Sequence, residues 1–318
     1  MKGHPMPRIA LVTRIPPDGE ALWADYLARA LPGERIGIFR DLSPAERAEV
    51  DIAIVANPDP ADLAELPNLV WVQSLWAGVE RLVAELGDFR RPIVRLVDPE
   101  LARTMSEAAL AWTYYLFRDM PAYAAQQRQR IWHARPYRRP SRTKVGVLGL
   151  GELGAAAALR LREAGFDVRG WSRSPKDIPG VVCHAGEETL DRMLAEVEIL
   201  VCLLPLTHQT RGLLDARRLA RLPEGAQIIN FARGPIIDSP ALLEALDRRH
   251  VSHAVLDVFE VEPLPEASPF WGHPRVTVLP HISAATDPET AAVIVAGHVQ
   301  DYRATGAIPP SVDLTRGY

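Results

Sequence analysis

The sequence predicts an α/β protein built from two doubly wound parallel-sheet domains. Three observations predict it. Short runs of Val, Ile, Leu and Ala alternate with longer helical stretches along almost the whole chain, the pattern of parallel strands covered by helices on both faces. A glycine-rich turn, KVGVLGLGELG (144–154), stands between one such run and a helical stretch. The length of 318 residues allows two ordinary domains, each with its own core.

Taken in order, RIALV (8–12), DIAIVA (51–56), LVWVQS (69–74) and PIVRLV (92–97) read as buried strands of the first half. ALWADYLARAL (21–31) carries the apolar spacing of a helix between the first two. The stretch 105–132 reads as one or two helices joining the halves. KVGVLGLG, FDVRGWS, EILVCLL, AQIINFA, SHAVLDV and RVTVLP then repeat the strand rhythm. A last helical pattern, PETAAVIVAGHVQDYRAT (288–305), precedes a Pro-containing tail. Periodicity alone does not say whether that helix returns to the first domain.

Charge and composition exclude several classes. A formal net charge of −4 carries no signature of nucleic-acid or membrane-surface binding. The basic segment 128–144, with Arg128, Arg130, Arg135, Arg138, Arg139, Arg142 and Lys144, is read as a solvated connector or a subunit-contact arm, because no nucleic-acid motif accompanies it. Of the two cysteines, Cys183 and Cys202, the second lies in an apolar run. A disulfide is therefore not expected, which suits a reducing, cytoplasmic compartment. The start, MKGHPMPRIALV, lacks the apolar run of about 7–15 residues of a signal peptide. No stretch approaches the roughly 18 apolar residues of a membrane span, and no metal site is expected.

Gly149, Gly151 and Gly154 form a G-x-G-x-x-G pattern after a strand and before a helix, the context that dinucleotide binding requires. Gly149 permits the tight turn, Gly151 lets a pyrophosphate approach the backbone, and Gly154 lets helix and strand pack closely. The helix N-terminus then faces the anion. The next strand ends at Ser172, Arg173 and Ser174 with no acid nearby to accept from a ribose 2′-hydroxyl. Arg173 suits a 2′-phosphate instead, flanked by the two hydroxyls, so NADPH is favoured and NADH remains possible. The plainer alternative for Arg173 is a solvated loop arginine.

Three later segments, IINFARG, LDVFEVEPLP and VTVLPHISA, each begin as a strand and end in a polar residue: Arg233, Glu262 and His281. In an open parallel sheet such positions line the ligand crevice. A guanidinium binds the carboxylate of a 2-keto acid and polarises its carbonyl. A histidine supplies the proton that the alkoxide needs after hydride arrives. A carboxylate behind the ring fixes its tautomer and favours the charged form. Each residue alone has a structural alternative, but the three together at strand ends favour hydride transfer to a small 2-keto acid.

With VGVLGLGELG, GWSRS, INFARG, LDVF, EVEPLP and LPHISA, nearly the whole chain resembles the D-2-hydroxyacid dehydrogenase family, most closely its glyoxylate/hydroxypyruvate reductase A branch. The resemblance implies a flavodoxin-like substrate domain (1–103 with 286–318), a Rossmann cofactor domain (104–285), a cleft between them and a homodimer. It implies catalytic roles for Arg233, Glu262 and His281. It further implies cofactor contacts from Glu152, Leu153, Leu204, Pro205, Phe231, Ala232, Asp257, His281, Ser283 and Ala284 beside the glycine turn. The loop QSLWAGVE would close on the substrate carboxylate through Trp76, Ala77, Gly78 and Val79, with Trp76 limiting substrate size. Glu80 stands where many relatives carry Asp. Two alternatives keep the fold: a dehydrogenase of a bulkier 2-hydroxy acid, and a dinucleotide-sensing binding protein without useful catalysis. Turnover separates the last from the rest.

Overall fold

A computed structural model describes residues 7–87 and 89–313. The chain divides into two compact units, Met1–Glu100 with Thr286–Tyr318, and Leu101–Ala285. The first six residues of the expected leaderless start and the last five of the tail lie outside the described residues, and with them the outer ends of the expected domains. The units divide between Glu100 and Leu101 and again between Ala285 and Thr286. Among the described residues no helix is long and apolar enough to cross a membrane.

In the first unit five parallel strands, β1 (Arg8–Thr13), β2 (Arg35–Ile38), β3 (Val50–Ala56), β4 (Trp71–Ser74) and β5 (Ile93–Val94), lie in the order β2-β1-β3-β4-β5. This is the flavodoxin order. Alternate residues serve opposite faces, as strand geometry dictates. Ile9, Leu11, Ile52 and Ile54 pack with Trp23 and Leu27 of the helix Pro17–Ala30 and with Ala291, Val295 and Val299 of the helix Pro288–Thr305. Ala10, Val12, Ala53 and Val55 pack on the other face with Leu63, Leu66 and Val79.

The last helix therefore belongs to the first unit's core. Asp287 caps it by accepting from the Glu289 amide at 2.8 Å, Pro288 occupies the first turn, and Gly306 ends it at φ +71°. His298 Nδ1 lies 2.8 Å from Gln73 Oε1, Thr290 donates to Asp98 at 2.7 Å, and Arg303 pairs with Glu34 and Asp51.

In the second unit seven strands, β6 (Lys144–Leu148), β7 (Asp167–Ser172), β8 (Val182–Ala185), β9 (Ile199–Cys202), β10 (Ala226–Asn230), β11 (Val251–Leu256) and β12 (Val276–Val278), are all parallel. Their order is β12-β11-β10-β9-β6-β7-β8. Counted from the first strand of the unit, this is the dinucleotide-binding order with a seventh strand added beyond the sixth. The stretch 105–132 resolves into two helices, Pro99–Phe117 and Met120–Gln129, interrupted at Asp119 (φ +56°).

Two strands carry no apolar run that would announce them. RIGI of β2 is half-buried throughout, and VCHA of β8 is half-buried to exposed, because both are edge strands. PIVRLV shortens to the two residues of β5, since Leu96 leaves the ladder and donates to the Trp76 carbonyl at 3.1 Å.

Candidate active site

The residues singled out in the second unit stand at the carboxyl ends of its strands. After β6 the chain turns at Gly149, whose φ of +95° suits a residue without Cβ. A Cβ there would lie 2.7 Å from the Leu203 carbonyl oxygen and 3.1 Å from Leu204 Cα, so the turn abuts the chain that leaves β9. That chain continues through Pro205, whose carbonyl accepts from Thr210 Oγ1 at 2.6 Å. Gly151 is the N-cap of the helix Glu152–Glu163, and a Cβ on it would meet nothing within 4 Å. A Cβ on Gly154 would lie 1.6 Å from the Gly149 carbonyl oxygen, which only glycine avoids. The turn is thus closed beneath the helix and open at its amide end, where Glu152 and Leu153 begin the first turn.

At the end of β7, Ser172 is buried and its hydroxyl donates to the Ser174 carbonyl at 2.6 Å, so one of the two expected hydroxyls already has a partner. Arg173 is exposed and donates from Nη1 to Gln209 Oε1 at 3.1 Å.

Arg233, Glu262 and His281 come together. His281 Nδ1 lies 2.7 Å from Glu262 Oε2, and the second oxygen, Oε1, accepts from the Phe259 amide at 2.8 Å. With Nδ1 donating to a carboxylate, Nε2 is the ring nitrogen left for proton transfer. The Glu262 hydrogen bond, aided by its charge, raises the His281 pKa against burial and the repulsion of Arg233. Burial pushes the Glu262 carboxyl up. The His281 bond, the Phe259 amide and the charges of His281 and Arg233 together outweigh it and hold the group below its ordinary value. The pair therefore favours imidazolium beside carboxylate, with the guanidinium close enough to influence both. The His281 side chain is half exposed.

The backbone explains the placement. His281 sits at φ +54°, uncommon for a residue with a Cβ and a form of strain that clusters at functional sites. Asp257, which follows β11 and is buried, holds it there. Its carbonyl accepts from the His281 amide at 3.0 Å, and its carboxylate oxygens accept from the amides of Ile282 (2.8 Å) and Ser283 (3.0 Å). Arg233 opens the short turn Gly234–Ile236 after β10, next to Phe231 and Ala232. Two neighbours escaped the sequence reading. Asn230 bonds the 232–233 backbone through its side chain, and Gly234 has no room for a Cβ, which would lie 2.0 Å from Phe259 C. The signal for both was present in INFARG: a buried amide at a strand end and a glycine after the arginine. Ser283 Oγ is buried without a hydrogen-bond partner, and Ala284 follows it.

Trp76, Ala77, Gly78 and Val79 follow β4 in the first unit. The Trp76 backbone is held by Ser74: its amide donates to Ser74 Oγ at 3.0 Å, and Ser74 Oγ donates to the Trp76 carbonyl at 3.1 Å. The indole packs edge-to-face on Trp23 with centroids 5.9 Å apart, and its buried Nε1 has no partner. Val79 is buried in the core.

Residues 110–283 match the family described as D-isomer specific 2-hydroxyacid dehydrogenase, NAD binding domain. The chain is similar to glyoxylate/hydroxypyruvate reductase A of Yersinia enterocolitica, 39% identical over 307 residues that cover 93% of this chain and 96% of that protein. It is similar in structure to a D-isomer specific 2-hydroxyacid dehydrogenase from Xanthobacter autotrophicus Py2, solved with NADPH and MES. There the TM-score is 0.91 at 42% identity, over 99% of this chain and 100% of that one. An NADPH-dependent glyoxylate/hydroxypyruvate reductase from Sinorhizobium meliloti, solved with NADP and sulfate, gives a TM-score of 0.90 at 32% identity, over 98% and 100% of the two chains.

Proposed function

The chain belongs to the D-isomer specific 2-hydroxyacid dehydrogenase family and is an NAD(P)-dependent oxidoreductase; from that premise we propose an NADPH-preferring reductase of small 2-keto acids of the glyoxylate and hydroxypyruvate type. The observation that carries the reading is the hydrogen bond of 2.7 Å between His281 and Glu262, with Arg233 beside it.

The residues fit a nicotinamide dinucleotide. The glycine turn leaves the space above Gly151 open at a helix N-terminus, and Ser283 Oγ is a buried hydroxyl awaiting a partner. Gly149, Gly151, Glu152, Leu153 and Gly154 would hold the pyrophosphate, with Leu204, Pro205, Phe231 and Ala232 lining the strand ends. Asp257, His281, Ser283 and Ala284 would stand at the nicotinamide end. Ser172, Arg173 and Ser174 would face the adenosine, with Arg173 leaving Gln209 for a 2′-phosphate. When bound, the reduced nicotinamide supplies hydride to the carbonyl carbon.

The chain's own residues supply the rest. Arg233 binds the keto acid's carboxylate and draws charge toward the carbonyl oxygen, stabilising the developing alkoxide. His281, protonated through Glu262, gives that oxygen a proton from Nε2 as the hydride arrives, so the product is the neutral-alcohol 2-hydroxy acid. Glu262 remains a carboxylate and steadies the ring. Trp76, Ala77, Gly78 and Val79 are assigned to the substrate on the family resemblance alone. A homodimer through the segment 128–144 belongs to the same proposal. Fully exposed Trp132 and largely exposed Tyr137 on that arm support it, and a monomer by light scattering contradicts it.

The reading is tested by the product. Hydroxypyruvate with NADPH should yield one enantiomer of glycerate, the D form, on chiral chromatography. A racemate, or no glycerate, removes the assignment.

A further inference from the structure

We propose that Asn230 is the positioning residue that aims Arg233 at the 2-keto acid. The proposal rests on the reductase reading above. Asn230 ends β10 and is 2% exposed, so it touches no substrate itself. Both ends of its carboxamide are committed. Oδ1 accepts from the Ala232 amide at 3.1 Å, and Nδ2 donates to the Arg233 carbonyl at 3.2 Å. A backbone amide only donates and a carbonyl only accepts, so these partners fix which way the carboxamide faces.

The clamp reaches the guanidinium through one peptide. The Ala232 carbonyl accepts from Arg233 Nη1 at 2.7 Å, so the residue whose amide is held by Asn230 also tethers the arginine head. The turn has little freedom on its far side, where a Cβ on Gly234 would lie 2.4 Å from the Glu260 amide nitrogen. That neighbouring stretch carries Glu262, whose Oε1 accepts from Phe259. On the strand side the Asn230 carbonyl accepts from the Asp257 amide at 3.1 Å, and Asp257 in turn holds the His281 loop. Asn230 is thus the point at which the arginine turn is fastened to the loop of the catalytic histidine.

Asp at this position keeps the acceptor and loses the donor, setting a negative oxygen against the Arg233 carbonyl. Asn230→Asp should therefore raise the KM for glyoxylate and lower kcat/KM by about 10²-fold, the effect of misplacing a binding group by about 1 Å. NADPH affinity, read by nucleotide fluorescence on the full chain, should fall far less than kcat/KM, because the carboxamide is fastened to the arginine turn and not to the glycine turn that would hold the pyrophosphate. In an Arg233→Ala background the same substitution should add little, because the group it acts through is gone. If Asn230→Asp does not fold, Asn230→Ser is measured in both backgrounds instead. An unchanged KM for glyoxylate, or a full additional loss in the Arg233→Ala background, overturns the proposal while leaving the reductase reading intact. A wild-type protein that binds NADPH but reduces no 2-keto acid overturns that reading and the proposal with it.

Discussion

The protonation of His281 depends on what stands behind its ring. Glu262 raises the His281 pKa chiefly through the 2.7 Å hydrogen bond and then through its charge. The proposed reduction needs the protonated ring, so kcat/KM for the keto acid should be full below that raised pKa and fall as pH rises through it. In Glu262→Gln the opposite charge is lost and the pKa drops toward the ordinary histidine value. The alkaline limb of the reduction profile should then move to lower pH, and the acid limb of the oxidation profile should move the same way. A profile unmoved by Glu262→Gln contradicts the pairing. At the edge of the proposed cofactor site, Arg173→Ala should raise the KM for NADPH far more than that for NADH, since only the former brings a 2′-phosphate to an exposed guanidinium. Equal effects on both would leave Arg173 a solvated loop residue held by Gln209.

The glycine turn shows how an element separates stability from binding. Alanine normally stabilises a helix by about 1 kcal/mol over glycine. At Gly154 that sign should reverse, because its Cβ would meet the Gly149 carbonyl at 1.6 Å and force turn and helix apart. Gly154→Ala should cost about 1–3 kcal/mol in denaturant unfolding. Gly151 has open space around its missing Cβ and an ordinary negative φ of −76°, so Gly151→Ala should cost only the small loss of a poorer N-cap, less than Gly154→Ala, yet weaken NADPH binding. A loss of stability in Gly151→Ala as large as that in Gly154→Ala, or undiminished NADPH affinity, would count against this division of labour. Elements of this kind were legible in sequence, because glycine spacing between a strand and a helix reports a local geometry. Edge strands were not. RIGI and VCHA have one sheet neighbour and half-exposed side chains, so they lack the continuous apolar run by which a central strand such as AQIIN is read.

For the whole molecule, the order of both sheets follows from alternating strands and helices only in outline. The helix Pro288–Thr305 displays an apolar face in sequence, yet 3.6-residue periodicity names no partner. Its small residues, Ala291, Ala292 and Ala296, fit the first unit's sheet, which is known only from the tertiary packing. Arg233, Glu262 and His281 were legible as strand-end residues of suitable chemistry. What held them was less visible: the buried carboxylate of Asp257, the carboxamide of Asn230 and the close approach at Gly234 act through backbone groups that side-chain chemistry does not announce. The central claim is that this constellation reduces a small 2-keto acid with NADPH. It is tested most directly by initial rates of NADPH oxidation with glyoxylate, for the wild-type protein beside His281→Ala. Turnover by the wild type and a loss of at least about 10²-fold in His281→Ala, with NADPH binding retained, is the predicted result. Near-normal turnover by His281→Ala, or none by a wild-type protein that binds NADPH, would contradict it.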